Sequence, residues 1–116
     1  MEARFLTDLR AWRDTEEQRW ILTQPLTFRD NQGTEHQAPM GFSTDLDSVP
    51  RIPIVYAYLK GRATNAAVIH DWLYEQRHPR KQADQIFLQA MKAEGIGWIR
   101  RRTIYGAVRA FGWMAY

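Results

Sequence analysis

Cysteine is absent from the chain, which excludes disulfide frameworks, CxxC redox sites, thiolate zinc sites and a cysteine nucleophile. No run approaches the ~18 apolar residues of a transmembrane helix, so no transmembrane segment is expected. The opening residues MEARFLTDLR carry acids where a signal peptide carries an apolar core, so no signal peptide is expected either. There is no HExxH or paired-histidine spacing for zinc and no nucleotide-binding glycine pattern, and Ser43 and Ser48 lack a GxSxG context. Internal repeats, low-complexity tracts and interdomain linkers are also missing. Acids thin out along the chain: residues 1–58 hold six basic and nine acidic side chains, residues 59–116 ten and four.

What remains is 116 residues with 45% hydrophobic, 25% charged and 13% aromatic content, the profile of one globular domain spanning 1–116. A chain of this size buries roughly two-thirds of its unfolded surface, enough for a core without metal staples. The basic second half can face nucleic acid, an anionic lipid surface or the acidic half of its own chain.

The patterning predicts an α+β fold. Segments 4–12, 19–28 and 36–42 favour strands separated by the polar turns 14–18 and 30–34, giving a small antiparallel β-meander over about residues 4–42. Phe5, Leu6, Leu9 and Trp12 also fall near helical spacing, but the strand reading is preferred. GFSTDLDSVPRIP at 41–53 reads as an ordered loop, followed by the apolar stretch 54–59. A three-helix layer then covers about 64–77, 80–94 and 97–111, with Thr64 or Asn65 as first N-cap, His78-Pro79 as a stop and Gly95 as a C-terminal stop. In the last helix Trp98, Ile99, Tyr105, Val108 and Phe111 are expected as the apolar stripe, with Arg100, Arg101, Arg102 and Arg109 supplying charge. Those arginines and aromatics would bind phosphates, rest on an anionic membrane, or simply be solvated beside a buried stripe.

AAVIHDWLY at 66–74 concentrates the chemistry. On a helix His70 and Tyr74 share a face with the small Ala66 and Ala67, while Asp71 turns about 100° away, so imidazole and carboxylate meet different neighbours. Asp84 lies in line with Phe87, Leu88 and Met91 on the apolar face of the next helix. A short connection between the two helices would let Asp84 accept a hydrogen bond from His70, fixing its tautomer and freeing its second nitrogen to activate water. The competing reading leaves Asp84 wet in the first turns of its helix, interacting with the dipole. Asp45, Asp47, Asp71 and, more remotely, Asp84 are candidate ligands for a hard cation such as calcium or magnesium, although hydrogen bonding to loop amides is the commoner role for Asp45 and Asp47.

Together GFSTDLDSVPR (41–51), AAVIHDWLY (66–74) and KQADQIFLQAM (81–91) resemble a family of small phage- and prophage-encoded proteins of unassigned function, over roughly residues 20–112. That resemblance implies a viral origin, a place in the host cytoplasm or the virion, and a role in virion assembly, lysis or host takeover. The helix pair alone, about 64–91, resembles calcium-dependent secreted phospholipases and the related parvovirus capsid domain. It implies His70 as general base, Asp84 as its orienting acid, Tyr74 as a supporting residue and Asp71 as a calcium ligand. The glycine-rich calcium loop of those proteins has no counterpart; FSTDLDSVPR stands in its place, with Asp45 or Asp47 reaching the metal and Ser48 supporting. Two function classes follow. One is a His-Asp hydrolase, optionally calcium-assisted, acting on a lipid ester or other envelope component. The other is a non-catalytic virion or host-interaction protein in which the same side chains form a structural polar cluster. Nucleic acid is the weakest partner reading and is not expected.

Overall fold

A computed structural model describes residues 2–17, 19–44 and 64–114 of the chain. Among these described residues six short strands precede three helices: β1 (Arg4–Phe5), β2 (Ala11–Asp14), β3 (Arg19–Leu22), β4 (Leu26–Arg29), β5 (Glu35–Ala38), β6 (Ser43–Thr44), α1 (Thr64–Glu75), α2 (Arg80–Ala93) and α3 (Trp98–Phe111). All strand pairs are antiparallel, in two three-stranded sheets ordered β1-β4-β5 and β2-β3-β6. The arrangement is the α+β architecture expected, with two corrections: the predicted strands 4–12 and 19–28 are each interrupted into two, and the third ends at Ala38, with β6 formed inside the stretch 41–53 expected as a loop.

The interruption does not shift the register. Arg4 faces Arg29 and, seven residues on, Ala11 faces Leu22. Leu26 faces Ala38 and, five residues back, Ile21 faces Ser43. The two sheets are therefore one meander pinched across its middle, where Pro25 and Pro39 have no N–H to give a ladder. Thr7 repairs part of the gap: its Oγ1 donates to the Pro25 carbonyl at 3.1 Å and accepts the Thr27 amide at 2.9 Å.

The turns follow from their aspartates. Asp14 Oδ1 accepts the Glu16 and Glu17 amides, and Asp30 Oδ1 accepts those of Gln32 and Thr34, with Gly33 at φ 87°. The other Asp30 oxygen meets His36 Nε2 at 2.9 Å. The Asn31 amide donates to Gln89 Oε1 at 2.8 Å, tying this hairpin to α2.

Helix ends fall within two residues of expectation. α2 closes with Gly95 at φ 85°, the Ile96 amide reaching back to the Met91 carbonyl and that of Gly95 to Lys92. α1 closes in the same way with Arg77 at φ 56° in the glycine-like position. One apolar cluster joins Leu22, Leu26, Phe28 and Ala38 of the strands to Ile69, Leu73, Phe87, Met91, Ile104 and Val108 of the helices. The apolar stripe expected on α3 holds for Val108, which is buried, and Tyr105, which packs partly buried on the core, and is corrected elsewhere: Ile104 is buried with them, while Trp98, Ile99 and Phe111 are 63%, 75% and 50% exposed. The apolar stretch 54–59 lies outside the described residues.

Candidate active site

α1 and α2 run side by side with the short link 76–79 between them, which brings His70 and Tyr74 of one against Asp84 of the other. Asp84 is fully buried, which corrects the wet reading of this residue. Its Oδ1 meets His70 Nε2 at 2.7 Å and accepts the Tyr74 hydroxyl at 2.5 Å. Its Oδ2 accepts Arg109 Nη1 at 2.8 Å and lies 3.6 Å from Arg80 Nε. Burial by itself would raise the Asp84 carboxyl, but hydrogen bonds from His70, Tyr74 and Arg109 outweigh it and hold the pKa below its ordinary value.

An ionised carboxylate only accepts hydrogen bonds, so the His70 nitrogen facing it carries the proton. In neutral imidazole the lone pair then sits on Nδ1, which has no hydrogen-bond partner among the described residues. The ring stacks on Phe87 at 4.4 Å and tilts against Tyr74 at 4.2 Å, and its side chain keeps 14% exposure. Burial, with Asp84 alongside, pushes the Tyr74 hydroxyl well above its ordinary pKa, so it remains a donor.

Asp71 turns to a different neighbour, as its helical offset requires. Thr44 Oγ1 of β6 donates to its Oδ2 at 2.5 Å, and Phe42 packs edge-on against the adjacent Trp72 at 5.1 Å. Burial raises the Asp71 carboxyl, and the Thr44 hydrogen bond only partly offsets this. Beside it, Arg19 donates from Nε to Ser43 Oγ and from Nη2 to the Ser43 carbonyl. The start of the FSTD motif is thus pinned onto α1 next to His70.

A calcium ion needs six to eight oxygen ligands. Among the described residues no group of three or more His, Asp or Glu side chains converges on a metal position. Asp71 has one oxygen engaged by Thr44, so the described residues by themselves supply too few oxygens for calcium. Asp45, Asp47 and Ser48 lie outside the described residues.

Two members of the constellation escaped the sequence reading. Arg80 stands four residues before Asp84, a spacing that could have announced it. Its Nη2 also donates to the Val108 and Arg109 carbonyls, closing the end of α3. Arg109 is expected from the sequence only to supply charge on α3; nothing local ties it to a carboxylate 25 residues earlier.

These residues fall almost wholly inside a recognised sequence family. Residues 20–108 match the model of a family described as protein of unknown function, DUF1353. The chain belongs to the DUF1353 family. The matched span contains Thr44, His70, Asp71, Tyr74 and Asp84. This DUF1353 chain is also 32% identical over 96 residues to the uncharacterized protein y4iH of Sinorhizobium fredii (strain NBRC 101917 / NGR234), covering 79% of the chain and 40% of the relative. The chain thus spans two-fifths of the length of that curated relative. No solved structure matches it.

Proposed function

We propose that this chain is a phage- or prophage-encoded hydrolase acting on a lipid ester or another cell-envelope component, with His70 as general base. The observation that carries the reading is the pairing of His70 Nε2 with a buried, ionised Asp84, which directs the basic nitrogen away from the pair. In the proposed step, Nδ1 takes a proton from water as the oxygen attacks the ester carbonyl. The tetrahedral intermediate collapses, and the proton passes to the leaving alkoxide. Asp84 orients the ring and stabilises the imidazolium, while Tyr74 and Arg109 hold Asp84 in place. Calcium at Asp71 with Asp45 or Asp47 belongs to the proposal as an optional aid, and no step is routed through it.

A second reading has its own observation. Asp84 draws Tyr74 and His70 from α1, Arg80 from α2 and Arg109 from α3, which is how a purely structural network would tie three helices. Hydrolysis of 4-nitrophenyl esters and of phospholipid vesicles by the wild type, His70→Ala and Asp84→Asn, with and without chelator, separates the two. The enzyme reading requires turnover that falls at least about 100-fold in His70→Ala with little change in melting temperature. Lack of turnover in the wild type, together with a large fall in melting temperature for His70→Ala, assigns the cluster to structure.

A further inference from the structure

After Glu94 the chain contains no acid, and its last 22 residues carry four arginines. α3 presents only part of its surface to the core, through Ile104 and Val108. On the opposite side Trp98, Ile99, Arg102, Gly106 and Ala110 recur at helical spacing and are all exposed, and Trp113 beyond the helix end is 64% exposed. Single exposed apolar residues are ordinary, but two tryptophans and an isoleucine bracketing one helix face form a patch that calls for an occupant. Gly106 and Ala110 keep its centre flat, so its two ends stand out about 20 Å apart.

We infer that this face of α3 docks the protein on an anionic lipid bilayer. Indole rings settle at the headgroup level, where one edge is apolar and the other wet, and Ile99 adds apolar burial beneath them. Arg102, between the two ends, meets lipid phosphates with the charge complementarity that an acid-free helix provides. A second copy of the chain fits poorly, because self-pairing of the face would bury the Arg102 of each copy in an interface whose helices offer no acid to pair with it. A nucleic acid would use the arginine but leave Ile99 without a partner. The inference deepens the envelope-lipid reading by naming a binding surface, and it is carried by residues separate from His70.

The test is co-sedimentation of the full chain with vesicles of phosphatidylcholine alone or mixed with phosphatidylglycerol, read alongside the blue shift of tryptophan emission. Binding is expected at least tenfold tighter to the mixed vesicles and weakened by salt. Trp98→Ser with Ile99→Ser should abolish it, and Arg102→Glu should weaken it about tenfold; all three positions are exposed, and melting temperatures check that the variants fold. His70→Ala should bind as the wild type does, so an inactive enzyme and a failed surface give different results. Equal binding by the Trp98/Ile99 variant, absence of binding to either vesicle, or retention by duplex DNA in preference to vesicles would each overturn the inference.

Discussion

At the scale of single residues, Gly112 is the most exacting position around the dyad. Its φ of −61° suits any residue, so backbone freedom is not why glycine stands there. A Cβ at this site would lie 2.7 Å from the Tyr74 hydroxyl oxygen, which Asp84 holds in place. Gly112→Ala should cost about 1–3 kcal/mol by overpacking. Tyr74→Phe removes the atom it meets, so the double variant should be less destabilised than the sum by more than about 0.5 kcal/mol in urea titrations. Strict additivity would show that the clash is relieved elsewhere. His70, Tyr74 and Asp84 were legible as a group because helical spacing places each on an apolar face, where a polar side chain needs a partner. Gly112 and Arg109 were not, since their contacts to the group exist only once α3 has docked.

At the scale of elements, α1 depends on a residue outside itself. Its first turn contains no acid, and the Glu94 carboxylate at the end of α2 accepts the Ala66 amide at 2.5 Å as well as that of Asn65. Burial raises the Glu94 carboxyl, those amides only partly offsetting it, so loss of its charge should matter less than loss of its acceptor oxygen. Glu94→Ala should lower stability by about 1–2 kcal/mol and Glu94→Gln by less than half as much, measured by chemical denaturation. Equal losses would mean that the charge on the helix end dominates. Element types, and the ends of the helices, were readable from turn residues, from Gly95 and from the 3.6-residue period, whereas the strand ends were not. The inward face of α3 was not: its apolar residues lie all around the helix, and only packing on α2 selects Ile104 and Val108.

At the scale of the whole molecule, the buried and half-buried carboxyls whose pKa is shifted divide, among the described residues, into two sets with opposite pH dependence. Asp84 is held low, so its contribution is complete above the ordinary value near 3.8 and is lost as pH falls through the folded value below it. Burial opposes the shift at Asp30, but its hydrogen bonds with His36, Thr34 and Gln32 hold it low in the same sense. Asp71 and Glu94 are raised by burial, so the folded state gains protons, and stability, as pH falls from neutrality towards the ordinary values of 3.8 and 4.5. Stability should therefore peak on the acid side of neutrality and fall below the ordinary carboxylate range. Asp71→Asn should flatten the rise and Asp84→Asn the acid fall, with Asp84→Asn also lowering stability at neutral pH because the partly exposed Arg80 and Arg109 lose the anion they share. Urea midpoints collected across pH check this, and an unchanged acid limb in Asp84→Asn would contradict it.

Local rules carried far in this protein because turns, caps and periodicity act over a few residues. The meander, its two polar turns and the order of the three helices were present in the sequence as spacings, and the spacing of His70 and Asp84 allowed their pairing without deciding it. Tertiary packing alone decided the rest. It set which side of α3 is buried and brought Arg109 to Asp84 across 25 residues. Each of those outcomes depends on surfaces that meet only after the elements have formed, and no local spacing encodes such a meeting.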